Sequence, residues 1–410
     1  MKLLLIADSY PPEICAVATL MNELAISFAK DGNEVFVLTT KPHSRIIQGS
    51  NKSFETISEE EGITVIRVST PPTHTKSLVK RGINTILMPY VMYSKIPEQF
   101  RNIAYDAVIS YSPPLNLGLV ARKIASSSRS PYLLILRDIF PQNAIDLGIL
   151  RNRLMIRFFE HIENKVYNAA DLIFAQSHEN KDFLVRKKKL PEEKIEVLYN
   201  WIDTTRYQHE SIFDFRKEFS LNGKKICLFA GTMGPSQGLE RVLSVAHLFR
   251  DDNLLFLFVG NGREKKNLEI LADEMKLNNV AFLDYVEQTV YPSLLNSVQI
   301  GLISLSESNH TPIVPGKLMG YMAGRIPVLA FLNKESTDTM RILDESGAGK
   351  YVTDGNVELF AEYLREFIRD ERLLASMGSK GRRFVEENFS VDSAMKEIEK
   401  AIISCKESRQ

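Results

Sequence analysis

Lys317 stands in the first turn of a helix that Pro315 and Gly316 open, inside the stretch Gly301 to Ala330, GLISLSESNHTPIVPGKLMGYMAGRIPVLA. Proline near a first helical position and Gly324 just past the last are start and stop signals. Unpaired N–H groups and the positive dipole end of such a helix favour an anion. Lys317 adds a full positive charge, the opposite of what helix stability alone asks for. The pattern fits an anion site, and it also fits a lysine that is simply solvated. A second set of candidates follows the apolar run Tyr132 to Leu136, which passes straight into Arg137, Asp138, Ile139, Phe140, Pro141. Charged residues where a buried strand emerges suit ligand binding beyond strand carboxyl ends. The plainer roles for Asp138 are a helix cap or an ion pair with Arg137. Glycines follow two more apolar runs, in Gly231-Thr232-Met233-Gly234-Pro235-Ser236-Gln237-Gly238 and in Gly260-Asn261-Gly262. There the backbone can approach a ligand phosphate and bare its N–H groups.

These residues need strands behind them, and the chain supplies two series. In the first, Leu3 to Ala7 is a strand, Met21 to Lys30 a helix ended by Gly32, and Glu34 to Thr39 a strand, which makes a βαβ unit with a right-handed crossover. Ile63 to Val68, Ala107 to Ser110, Tyr132 to Leu136 and Asp171 to Gln176 continue the sheet, and Ile195 to Leu198 leads to its end near Asp203. The polar stretch Thr204 to Gly223, with His209, Glu210, Asp214, Arg216 and Lys217, reads as a linker. The second series runs through strands at Lys225 to Ala230, Leu254 to Val259, Val280 to Leu283 and Val298 to Leu305. Helices at Val357 to Ile368, Glu371 to Phe384 and Ser390 to Cys405 follow. The expected fold class is α/β, with two Rossmann-like domains of parallel sheet facing across a cleft that holds the binding site. The expected domains are 1–203 and 204–390, with the C-terminal helix 391–410 packing back on the first.

Composition narrows the function classes. A chain of 410 residues with 44% hydrophobic and 25% charged residues is long enough and apolar enough for two or three cored domains. Basic and acidic residues balance at 51 each, so no global field draws nucleic acid. Cys15, Cys227 and Cys405 are few, odd in number and widely spaced, against a disulfide framework or a zinc site. The opening apolar run ends at Asp8, too short for a signal or a span of roughly 20 residues, and the expected location is cytoplasmic. The segment Pro71 to Phe100 interleaves Lys76, Lys80, Arg81 and Lys95 with Leu78, Val79, Ile83, Leu87 and Tyr90. That mixture suits the anionic inner face of a membrane, and equally a helix packed on the sheet with solvated lysines.

The order and spacing of several motifs resemble the retaining glycosyltransferases of family 4, with the two-domain GT-B architecture, over nearly the whole chain. The motifs are DSYPPE near the start, SPPL at Ser112 to Leu115, Asp138-Ile139-Phe140-Pro141, YNWID at Tyr199 to Asp203, AGTMGPSQGLE, FVGNG, and VPGKLMGYMAGRIPVLA. The resemblance is closest to the subgroup that makes bacterial surface polysaccharides. It implies a nucleotide-diphosphate sugar donor, UDP-linked and carrying an N-acetylated amino sugar. It also implies a lipid-linked saccharide acceptor, retention at the anomeric carbon, and neither cofactor nor metal. On that basis the donor falls to Gly231, Thr232, Met233, Gly234, Gln237, Gly260, Asn261, Tyr285, Glu307, Pro315, Gly316, Lys317 and Leu318. The acceptor side falls to Pro11, Pro12, Ser112 and Arg137, and the catalytic roles to Asp138 and Lys317.

The departures sharpen the question. The family's Glu-x7-Glu pair is absent, since Gly320 and Pro312 stand in its places, and Glu307 in the preceding loop is the remaining acid for a donor ribose. The family's diphosphate-binding Arg and Lys correspond to Met233 and Gln237, and its histidine after Leu136 to Arg137. A leaving diphosphate gains charge, so the protein must supply stabilisation. The candidates are Lys317, the helix N-terminus at Gly316 and the N–H groups of Gly231 to Gly234. Retention without an evident nucleophile suggests same-face attack, with a donor phosphate oxygen taking the acceptor proton; Asp138 is the alternative base or an anchor for the acceptor hydroxyl. A sugar-nucleotide 2-epimerase and a catalytically silent nucleotide-sugar binder remain open beside the transferase.

Overall fold

The computed structural model describes residues 1–13, 15–42, 54–71, 78–146, 150–207, 215–218, 221, 223–286, 290–307 and 314–409. Lys76, the side chains of Lys80 and Arg81, His209, Glu210, Asp214 and Pro312 lie outside the described residues. The chain divides into two units, Met1–Trp201 with Val391–Gln410, and Ile202–Ser390.

The first unit runs β1 (Lys2–Ile6), α1 (Ala16–Lys30), β2 (Glu34–Thr40), β3 (Ile57–Glu60), β4 (Ile63–Val68), α2 (Leu78–Lys95), α3 (Glu98–Arg101) and β5 (Ala107–Ser112). It continues with α4 (Leu117–Ser128), β6 (Tyr132–Leu136), α5 (Gln142–Asp146), α6 (Arg153–Ala169), β7 (Leu172–Ala175), α7 (His178–Arg186) and β8 (Ile195–Val197). Its sheet has the order β3-β4-β2-β1-β5-β6-β7-β8, parallel except for β3. The strands are apolar on both faces because both are covered. Leu3, Leu5, Val35 and Val37 point to α1, whereas Leu4, Ile6, Phe36 and Leu38 point to Met88 and Met92 of α2 and Val120 of α4. The antiparallel β3 escapes the sequence reading because ISEE alternates polar residues on an edge strand.

The second unit runs α8 (Phe215–Glu218), β9 (Lys225–Ala230), α9 (Glu240–Leu248), β10 (Leu254–Val259), α10 (Lys265–Glu274), β11 (Val280–Leu283), α11 (Tyr291–Asn296) and β12 (Ile300–Ser304). It ends with α12 (Gly316–Ala323), β13 (Val328–Phe331), α13 (Thr337–Ser346), β14 (Gly349–Val352), α14 (Val357–Arg369) and α15 (Glu371–Asn388). The sheet order is β11-β10-β9-β12-β13-β14, all parallel. The stretch read as a linker belongs to this unit. Phe215 is fully buried, and the Arg216 guanidinium donates to the carbonyls of Lys224 at 2.9 Å and Ser297 at 2.5 Å. Polar composition hid one anchoring aromatic.

The final helix, α16 (Val391–Glu407), lies in the first unit. Met395, Ile398 and Ile402 join Leu24 and Phe28 of α1 in one core, and Arg409 pairs with Asp171 at 2.6 Å. Among the described residues no helix is long and apolar enough to cross a membrane.

Candidate functional site

In the second sheet the strand order turns back between β9 and β12, and the loops leaving those strands diverge. Such a switch point is where open α/β sheets bind ligands. β9 and β12 pair only at Ile300 with Cys227 and Gly301 with Leu228. Beyond that, Tyr321 of α12 takes over the ladder: its hydroxyl accepts from the Ala230 N–H at 3.0 Å and donates to the Leu228 carbonyl at 2.9 Å. Its ring fills the space beside Gly301, where a β-carbon would fall 2.5 Å from ring atoms. Lys317 is four residues ahead, on the same side of α12. Fastening Tyr321 to β9 therefore delivers Lys317 to the β9 loop. Tyr321→Phe is expected to cost about 1–3 kcal/mol, because it strands a buried N–H and a carbonyl. Denaturant unfolding measures it, and an unchanged midpoint would mean that the ring alone holds the helix.

Lys317 Nζ donates to Gln237 Oε1 at 2.9 Å and sits 3.5 Å from the centre of the Phe229 ring. A side chain at Gly231 would meet it, with a β-carbon 3.4 Å away. Among the described residues no carboxylate pairs with it. Gln237 thus holds the cation from the position where the resemblance places a lysine. Burial pushes the ammonium down to about 7. The folded value lies below the unfolded one, so the fold carries the full penalty below about pH 7 and sheds it as pH rises toward the unfolded value. An anion against Nζ would restore the charge.

The glycine loops cross at backbone distance. A β-carbon at Gly260 would lie 2.0 Å from the Gly231 carbonyl oxygen, and one at Gly262 2.2 Å from that of Met233. The Gly231 N–H donates to Val259 at 2.9 Å and the Met233 N–H to Asn261 at 2.9 Å. This corrects the expectation that all N–H groups of Gly231 to Gly234 face a ligand. Two extend the ladder, and the alternate ones, Thr232 and Gly234, have no partner among the described residues. The Met233 side chain is fully buried in the core, so this position offers no ligand-binding group. Leu318 is likewise turned inward and fully buried, and its N–H donates to the Pro315 carbonyl at 2.9 Å. Among the described residues the open N–H groups of α12 are those of Gly316 and Lys317, after Pro315, which supplies no side-chain cap.

At the rim, Thr232 Oγ1 and the Tyr285 hydroxyl are 3.2 Å apart, and that hydroxyl lies 3.4 Å from the Asn261 carbonyl it donates to. Tyr285 is 61% exposed, which leaves its ring face open for stacking. Glu307 is exposed and meets Arg241 at 3.5 Å. Sequence reasoning missed Arg241, which also donates to the Leu305 carbonyl and stacks over Phe331 at 4.9 Å. Burial lowers its pKa while Glu307 opposes the shift.

In the first unit, the loops leaving β1, β5 and β6 are neighbours at that sheet's own switch point, between β1 and β5. Pro11 is held by its carbonyl, which accepts from the buried Arg67 at 2.7 Å, and Arg67 pairs with Glu60. Pro12 beside it is exposed. Ser112 ends β5, buried, with no partner for its hydroxyl among the described residues. Asp138 has an open face and makes neither the cap nor the ion pair with Arg137 among the described residues. Surrounding protein raises its carboxyl, and the open face keeps water in contact with it. Arg137 departs from the expectation. It is 5% exposed, its guanidinium donates to the carbonyls of Leu198 and Tyr199, and it lies over Trp201 at 5.4 Å. It is a strut holding the Leu198–Trp201 turn, and burial brings it down to about 10.

Two family models match these units in turn, Glycosyltransferase Family 4 over residues 17–206 and Glycosyl transferases group 1 over residues 211–384. WcaI of Escherichia coli K12, named for glycosyl transfer in colanic acid biosynthesis, is 24% identical over 97% of this chain and 98% of its own. Among solved structures, Anabaena HepE in complex with UDP and glucose has a TM-score of 0.70 at 17% identity, covering 98% of this chain and 100% of HepE. WaaG, a glycosyltransferase involved in lipopolysaccharide biosynthesis, has a TM-score of 0.65 at 13% identity, covering 98% of this chain and 99% of its own. Those two likenesses establish the fold, and the family models with the sheet order establish the class. The chain is a glycosyltransferase of the GT-B fold, its first unit of the Family 4 type and its second of the group 1 type.

Proposed function

We propose that this enzyme transfers an N-acetylated amino sugar, with retention, from a UDP-linked donor to a lipid-linked saccharide in surface polysaccharide synthesis, at the cytoplasmic face of a membrane and without a metal ion. The observation that carries the donor half is Lys317: a cation held by Gln237 at a sheet switch point, with no carboxylate against it among the described residues. The first turn of α12 adds the N–H groups of Gly316 and Lys317, and the β9 loop that Lys317 meets at Gly231 adds those of Thr232 and Gly234, a set of donors suited to two phosphates. Thr232, Asn261 and Tyr285 gather where a base and ribose would reach beyond the phosphates. The names of WcaI and WaaG support the polysaccharide context, and the UDP complex of HepE supports the nucleotide.

In this reading the acceptor oxygen bonds to the anomeric carbon on the face from which the diphosphate oxygen departs. The acceptor proton passes to a donor phosphate oxygen, while Lys317 and the helix N-terminus take up the growing negative charge. Asp138 anchors the acceptor hydroxyl. The test is a panel of UDP-sugars with lipid-linked and free saccharide acceptors, assayed with and without chelator. Transfer with retention, unaffected by chelator and lowered about tenfold to a hundredfold by Asp138→Asn, is expected. Free epimerised sugar without transfer would replace the reading by a 2-epimerase, and tight UDP binding without turnover by a silent binder.

A further inference from the structure

A groove of about 540 Å³ lies among α2, α4 and α6 of the first unit, and it shares no residue with the candidate site. Ile86 and Tyr90 of α2, Leu119 of α4, and Phe158 and Ile162 of α6 give it apolar wall, with the neutral polar Asn116, Ser126 and Ser127 between them. Its rim is basic, from Arg122 and Lys123 of α4 and His161 and Lys165 of α6, and no acidic side chain lines it among the described residues. Lys123 is drawn to Tyr93, 3.8 Å from the ring centre. Arg122 and Lys165 are exposed and make no ion pair among the described residues.

Apolar surface continues out of the groove along both flanking helices. On α2, Ile83, Leu87 and Tyr90 are 52%, 46% and 66% exposed, and on α6, Leu154 and Phe158 are 75% and 40% exposed. The spacings 83, 87, 90 and 154, 158, 162 each mark one side of a helix. This side is distinct from the one that faces the sheet, where Met88, Met92, Phe159 and Val166 are buried. Each helix therefore buries one apolar row and bares another. Exposed Arg153 and Arg157 flank the bared row of α6.

The charge selects the occupant. A second copy or an apolar peptide needs no ring of cations around the apolar row, whereas a bilayer surface offers acyl chains beneath a plane of anionic phosphate. We infer that this face of the first unit binds anionic phospholipid. Leu154, Phe158, Leu87 and Tyr90 enter the boundary between headgroups and acyl chains, and Arg122 and Lys165 meet the phosphates. The inference rests on the membrane part of the proposed function and gives it a place. It keeps Leu87 and Tyr90 of the segment 71–100 and adds side chains of α4 and α6; Lys76 and the side chains of Lys80 and Arg81 lie outside the described residues.

The test is flotation of the full chain with two kinds of vesicle, phosphatidylcholine alone and phosphatidylcholine with phosphatidylglycerol in equal parts. The variants are Arg122→Ala/Lys165→Ala and Leu154→Ser/Phe158→Ser, all at exposed positions, with thermal unfolding and circular dichroism against wild type as the check that the first unit remains folded. Wild type is expected to float with the anionic vesicles. The charge variant should partition roughly tenfold to thirtyfold less, since each cation at an anionic surface contributes about fivefold. The apolar variant should lose binding as well. If wild type floats and both variants float equally well, the groove assignment fails while the membrane reading stands. If wild type floats with neither vesicle, the membrane reading itself fails. A concentration-dependent dimer abolished by Leu154→Ser/Phe158→Ser, without vesicle binding, would give the face to a second copy.

Discussion

Lys317→Ala is expected to raise the dissociation constant for UDP about tenfold to a hundredfold at pH 7, and to lower kcat/KM about a hundredfold to a thousandfold. The larger factor reflects charge that develops on the diphosphate only as the glycosidic bond breaks. A lysine held near 7 by burial is about half charged in the empty site at that pH, and a diphosphate restores the proton. Wild-type affinity for UDP should therefore weaken as pH climbs above 7, by up to about tenfold per unit, and the alanine variant should lose that slope. Stability should move the other way. Removing an ammonium with no carboxylate partner is expected to stabilise the second unit by about 1–2 kcal/mol at pH 7, with the gain shrinking as pH rises. Calorimetric titration with UDP across pH, together with thermal unfolding, measures both. Equal affinity in the two proteins would reduce Lys317 to a structural residue.

Gly260→Ala is the second large effect. Its β-carbon would stand 2.0 Å from the Gly231 carbonyl oxygen, at a backbone φ of +142°. Neither contact partner is a side chain that can swing aside, so the β9 and β10 loops must part. A loss of about 3–5 kcal/mol is expected, with Thr232 and Lys317 displaced from one another and donor affinity falling beyond detection. Gly234→Ala is the matched control, since nothing lies within 4 Å of its added carbon. It should leave stability within about 0.5 kcal/mol of wild type. Comparable losses in both would show that the crossing is not what these glycines serve.

Most strands of the two sheets and the helix carrying Lys317 were legible because apolar runs, glycine turns and Pro315 are local signals, whereas the short edge strands β3 and β14 were not. What escaped was long-range direction. Arg137 looked like an acceptor ligand because a charge at a strand end usually faces out, yet it turns back to carbonyls more than sixty positions later in the chain. Met233 looked like a ligand-binding loop residue and is core, and no local signal marked Tyr321, whose hydroxyl replaces a rung of the sheet. Arg241 gave no signal at all, since its partners, Leu305 and Glu307, are brought to it only by the sheet order. Polar side chains that complete a fold cannot be separated from those that meet a ligand until their partners are placed.

The position of α16 bears on how the chain is made. Leu24 and Phe28 sit in a core completed by Met395, Ile398 and Ile402. Between the two parts of that core run the roughly 190 residues of the second unit, Ile202–Ser390. At about 5–20 residues per second, a ribosome takes on the order of ten to forty seconds to add them. Throughout that interval the nascent first unit shows a bare apolar strip on α1, while the second unit can close as soon as it emerges. The first half of the chain to be synthesised is thus the last to be sealed, and chaperones have their longest opportunity at Leu24 and Phe28.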